Sequence, residues 1–226
     1  LPPPPDVRVA PVPDLVQEPV GAMTEAEGGF PATLWQGTPA ATLVTQLDRL
    51  PVRAKSPTLN AMLRRLLATT AKLPPDAEVT ATRLRLLSAL GAETAAEAIL
   101  ARAPRPERET VLAWAEVELG FRAGERDRAC GIVRRRDPAE ATLAWRKAEV
   151  LCLAASGARQ DAQFALGLLR DQAPAADRPL LDLLESLVGG LKGKVLPLEP
   201  SPLVLAAYDA AGENPPAELL AAADPG

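Results

Sequence analysis

A glycine followed five residues later by an alanine recurs at a fixed spacing through the middle of this 226-residue chain. It appears as Gly91 and Ala96 in GAETAA, as Gly124 and Ala129 in GERDRA, and as Gly157 and Ala162 in GARQDA, each step being 33 residues. Other apolar positions keep the same register. Leu84, Val117 and Val150 correspond, as do Leu86, Leu119 and Cys152 and, beyond the alanine, Leu100, Val133 and Leu166. Glycine adopts positive φ without a Cβ penalty and so ends a helix. Alanine lets a second helix cross closely over the first, and the larger aliphatic one turn further on fills the space between them. A single helical hairpin cannot bury its apolar faces, so neighbouring hairpins stack. The spacing predicts three consecutive two-helix units over residues 77–174. Gly190 stands 33 residues beyond Gly157, but no helix with a matching alanine follows it.

The rest of the chain supports an all-α reading. Thr38-Pro39, Ser56-Pro57 and Ser201-Pro202 each place a hydroxyl before a proline, which predicts an N-cap and a first helical residue. Asp76 is placed to cap the segment that follows it. Leu59, Met62, Leu63, Leu66 and Leu67 share one face at helical spacing. No long alternating run of β-branched residues occurs. Residues 1–33 differ, because eight prolines interrupt them and no helix runs through that spacing. This predicts an extended Pro-rich arm over 1–33, strapped onto a helical domain over 34–226 or onto a partner. Val7, Val9, Leu15 and Phe30 are the expected anchors, with Trp35 where the arm joins the helices.

The second half of each unit carries a resemblance: Gly91-x4-Ala96-x3-Leu100-x2-Ala103, Gly124-x4-Ala129-x3-Val133 and Gly157-x4-Ala162-x3-Leu166. With the near-34-residue period, this resembles the tetratricopeptide-repeat (TPR) family. Arg83, Glu116 and Glu149 depart from the family pattern, standing where an apolar residue belongs. The resemblance implies a right-handed α-solenoid of stacked helical hairpins whose first helices line a concave groove. Arg85, Glu118, Arg122 and Lys147 are then the candidate groove residues. In the family such a groove receives an extended peptide or a helix of another protein, so binding a protein partner is the implied activity.

Composition narrows the chemistry. The chain has no histidine, which removes the side chain most used for acid–base catalysis near neutral pH and the commonest metal ligand. Two cysteines alone cannot complete a thiolate zinc site, and a Cys–His nucleophile cannot be built. Glutamates two apart, such as Glu116 and Glu118, point in different directions on a helix and do not form an acid–base pair. The reading is therefore not an enzyme, with no cofactor, no metal and no small-molecule ligand expected. No apolar run reaches the 18–20 residues of a membrane span. Aromatics are 3% of the chain and are not interleaved with basic residues, which argues against nucleic acid.

Charge is uneven. Residues 1–50 hold 2 basic and 6 acidic groups, residues 51–150 hold 18 and 13, and residues 151–226 hold 5 and 10. Arg134, Arg135 and Arg136 end a helix in the basic middle. They fit phosphate or a carboxylate-rich partner, or simple complementation of the helix dipole. Cys130 and Cys152 fall on helices that stacking places side by side, so they form a disulfide in an oxidising compartment or remain two buried thiols. Trp114 and Trp145 share the string LAW but are 31 residues apart, so they do not occupy equivalent places in the repeat.

Two functions are expected from these residues. The first is a protein–protein interaction scaffold, a structural or assembly subunit of a bacterial cell-envelope complex, using the repeat surface and the arm. The start LPPPPD without methionine fits a processed, exported, periplasmic chain, with a cytoplasmic location as the alternative. The Ala/Leu/Arg/Pro-rich composition suggests a high-GC bacterium. The second function is the non-catalytic helical module of a larger enzyme, such as one that processes peptidoglycan.

Overall fold

The computed structural model describes residues 18–52, 54–74, 76–103, 110–137, 139, 141–189 and 200–223. The expected anchors Val7, Val9 and Leu15, and Gly190, lie outside the described residues. Among the described residues the chain is all-helical, with eleven α-helices and two isolated β-bridges but no strand. The helices are α1 (Ala40–Leu47), α2 (Pro57–Ala68), α3 (Ala77–Ala89), α4 (Glu93–Arg102), α5 (Thr110–Arg122), α6 (Arg126–Arg134), α7 (Leu143–Ala155), α8 (Arg159–Gln172), α9 (Arg178–Gly189), α10 (Pro202–Ala211) and α11 (Ala217–Ala223).

Helices start where local chemistry provides a cap. The Ser56 hydroxyl accepts from the Leu59 N–H at 3.3 Å, the Ser201 hydroxyl from the Val204 N–H at 3.2 Å, and the Asp76 carboxylate from the Glu78 N–H at 2.8 Å. Thr38 does not cap. Helix α1 begins at Ala40, and Pro39 itself is the extended N-cap residue, so the threonine hydroxyl stands one residue too early.

Helices α3, α5 and α7 end alike. Gly91, Gly124 and Gly157 take φ of 66°, 74° and 82°. In each turn the next N–H returns to the carbonyl five residues back: Ala92 to Leu87 at 2.9 Å, Glu125 to Gly120 at 2.8 Å, and Ala158 to Leu153 at 3.0 Å. The glycine N–H donates to the carbonyl three residues back, at 3.1–3.2 Å, which completes a Schellman turn each time. Three hairpins result: α3–α4, α5–α6 and α7–α8. Ala96, Ala129 and Ala162 are fully buried at their crossings, and so are Leu84, Val117 and Val150.

Neighbouring units touch in sequence. Helix α3 packs on α5, α6 on α7, and both α7 and α8 on α9. Helix α10 turns back and lies against α5, α7 and α9. Two apolar cores meet at α5. Its Leu112, Ala115 and Leu119 face the core built from α1 to α4, while Val117 and Phe121 face the core built from α6 to α11. A helix apolar on opposite sides is buried on opposite sides, and α5 is the wall shared by the two halves.

Candidate functional site

Three places concentrate buried polar chemistry. The first joins the described end of the arm to the helices. Val20 pairs with Ala71 as an antiparallel bridge and Met23 with Thr69 as a parallel one. The Ala22 and Met23 N–H groups donate to the Ala68 carbonyl at 2.8 and 3.0 Å, and the Thr70 N–H to the Met23 carbonyl at 2.7 Å. Beneath this strap lies Arg83, fully buried on α3. Its guanidinium donates to the Leu67 carbonyl from Nε at 3.0 Å and from Nη2 at 2.7 Å, to the Thr69 carbonyl at 2.8 Å, and to the Val20 carbonyl at 3.1 Å. Burial holds its pKa down at about 10. A planar fork with five donors suits carbonyls that converge from two segments.

Close approach is essential there. A Cβ on Gly21 would lie 2.2 Å from the Thr70 Cα. Arg102 reaches the Gly21 carbonyl at 2.8 Å. Further on, Phe30 lies under the Arg65 guanidinium, 4.7 Å from its ring centroid, and donates its N–H to the Thr69 hydroxyl at 3.0 Å. Trp35 is buried and belongs to the core that α1 to α4 share with α5. The role of Arg83 is not legible in its spacing. The one signal is a cation that falls at a repeat position where an apolar residue belongs, between Thr82 and Leu84.

The second place holds the groove candidates, and the structure divides them. A cavity of about 500 Å³ opens between α5, α7, α9 and the start of α10. Glu118, Lys147 and Trp114 line it, with Leu180 and Leu203 opposite. Burial pushes the Glu118 carboxyl up; a hydrogen bond from Trp114 and the charges of Arg85 and Arg122 oppose the shift without cancelling it. Lys147 is paired with Asp177 at 2.6 Å, both largely covered. Arg85 is half-exposed outside the cavity and paired with Asp48. The Arg122 Nε is buried with no hydrogen-bond partner among the described residues. Glu118 and Lys147 therefore share a cavity, whereas Arg85 and Arg122 act on Glu118 through their fields alone. Helix α10 covers the flank that α5, α7 and α9 present to it, so the cavity is a remnant beside a filled surface.

The third place is a cleft of about 160 Å³ between α6 and α7. Cys130 on α6 and Cys152 on α7 are joined across this seam by a disulfide of 2.00 Å, with Cα atoms 5.4 Å apart. Both cysteines are buried. Val133, Trp145 and Leu153 form the apolar wall, and Arg134, Arg136, Glu149 and Ser156 form the rim. The Arg136 guanidinium lies 5.5 Å from the Trp145 ring centroid. Trp145 also meets Trp114 edge to face, at 5.2 Å between centroids. The two LAW tryptophans touch although their positions in the units differ. Trp145 is in the core and Trp114 is half-covered at the larger cavity. Arg135 is exposed beside the rim.

Among the described residues no group of three or more Cys, Asp or Glu side chains has metal-site geometry, and no helix is long and apolar enough to cross a membrane. No protein-family model, curated protein or solved structure matches this chain.

Proposed function

We propose that this chain is a non-enzymatic protein-interaction scaffold, a TPR-like right-handed α-solenoid that serves an exported bacterial cell-envelope assembly. One observation carries the reading. Three successive hairpins turn at left-handed glycines with the same hydrogen bonds and bury the same register positions. Repetition of this kind builds extended surface from neighbour contacts rather than converging reactive groups on one point.

The disulfide supports an oxidising compartment, because such bonds persist outside the reducing cytosol. The Arg83 strap supports a tied-down arm that extends the surface offered to a partner. Crosslinking and affinity purification from native cells, followed by mass spectrometry, test the proposal. A protein partner recovered in stoichiometric amount is the expected result, and recovery of this chain alone overturns it. Thiol trapping before lysis tests the compartment: Cys130 and Cys152 should resist alkylation until reduced.

A further inference from the structure

We infer that the cavity between α5, α7, α9 and the start of α10 binds a small organic cation, an ammonium group carried on an apolar body. The inference goes beyond the interaction reading and departs from the sequence expectation that no small molecule binds. Size points to a molecule. The cavity measures about 500 Å³, within the range of about 300–1,000 Å³ of small-molecule sites, which commonly lie between packed helices. A space of about 150 Å³ already takes up benzene, so one side chain of a partner would leave most of this cavity empty.

Its walls are open to an entering group. Trp114, Pro179, Leu180 and Pro202 line the cavity, and each is part-exposed. Trp114 and Glu118 stand four residues apart on α5 and so share one face of that helix. Indole attracts cations more strongly than the other aromatic side chains do. An ammonium group entering beside Trp114 and Glu118 therefore meets an aromatic ring and a carboxylate together.

Charge selects the ligand. Glu118, Lys147 and Asp177 are the charged residues among the described lining. Lys147 and Asp177 neutralise each other at 2.6 Å. Glu118 has the neutral Trp114 N–H as donor and makes no ion pair among the described residues. The more distant charges of Arg85 and Arg122 do not cancel the cost of covering its carboxylate. A cation at contact distance supplies what those fields lack. An apolar ligand would strip Glu118 of water and return nothing. An anion would face the carboxylates of Glu118 and Asp177. The start of α10 offers an anion little, because Pro202 has no N–H and the Val204 N–H is held by the Ser201 hydroxyl at 3.2 Å.

Isothermal titration calorimetry with the full chain tests the site, using hexylamine, phenylbutylamine and tryptamine as probes. Phenylbutylamine should bind about tenfold or more tightly than phenylbutanol, which keeps the body and loses the charge. Phenylbutyrate should bind more weakly still. Glu118→Gln should lower phenylbutylamine affinity about tenfold and leave phenylbutanol unmoved, whereas general damage to the fold would weaken both alike. Leu180→Trp, which fills the cavity, should abolish binding of both with an unchanged circular-dichroism spectrum. Equal binding of alcohol and amine, an unchanged ratio between them in Glu118→Gln, or no binding of any amine at millimolar concentration overturns the inference. A lysine-bearing heptapeptide that binds more tightly than all three amines also overturns it, by making the cavity a site for a partner's side chain.

Discussion

Arg83→Leu is the substitution whose outcome the structure constrains most closely. It removes four hydrogen bonds given by one charged donor. The Leu67 and Thr69 carbonyls accept from no other group among the described residues, and each orphaned buried carbonyl costs about 1–3 kcal/mol. Relief of guanidinium burial offsets this. Burial that holds its pKa down at about 10 corresponds to about 3 kcal/mol against the charged form. The two effects cancel to within a few kcal/mol, so global melting reports poorly: a net 3 kcal/mol moves the midpoint of a chain this size by about 6–12 °C at most.

The loss shows instead where the carbonyls are. Amide hydrogen exchange at Ala22, Met23, Thr70 and Ala71 should speed up about 10- to 100-fold, tenfold for each 1.4 kcal/mol of local stability lost. Amides in α7 and α8 should keep their rates. Gly21→Ala reaches the same strap without touching charge, because the new Cβ would fall on the Thr70 backbone, and the same four amides should open. Unchanged exchange at those amides in Arg83→Leu would refute the clamp. Arg83→Lys should fall between the two, since one Nζ cannot meet carbonyls from three residues.

Three further outcomes follow from the repeat and the buried groups. Replacing Gly91, Gly124 and Gly157 together by alanine should cost about 3 kcal/mol, roughly 1 for each left-handed turn; a triple variant that melts like the parent by calorimetry refutes the shared turn. Cys130→Ser with Cys152→Ser should cost about 3 kcal/mol for a bridge spanning 22 residues, and reducing agent should lower the parent's midpoint equally while leaving the variant unmoved. Glu118 has a raised pKa in the fold, so the native state binds more protons than the unfolded chain between the ordinary carboxyl value and the raised one. Its contribution to stability therefore falls as pH rises through that window. Glu118→Gln should stabilise the chain at pH 7 and change little near pH 4 in urea unfolding; an equal effect at both pH values contradicts the desolvated carboxylate.

The hairpins were legible in the sequence because their causes are local. A glycine at the end of a helix, an alanine at a crossing and aliphatics one turn away act through neighbours a few residues distant. Gly91, Gly124 and Gly157 accordingly share one turn, and the matched Leu84, Val117 and Val150 share one burial. The Ser56, Asp76 and Ser201 caps were legible for the same reason. Thr38 shows the limit: a hydroxyl shifted by one residue no longer reaches the N–H it was expected to cap.

Tertiary structure decided what each charge does. Arg83, Glu116 and Glu149 occupy one position of the repeat. The first clamps the strap, the second takes Arg128, and the third stands at the rim of the α6–α7 cleft. Periodicity cannot separate them, because their partners come from segments up to 63 residues away. Helix α10 returns to cover α5, α7 and α9, which no spacing announced. The sequence by itself determined the repeating unit, since short-range backbone geometry is written in adjacent residues. Only the folded chain decided which surfaces were filled and which left open, since burial and pairing depend on where distant segments come to rest.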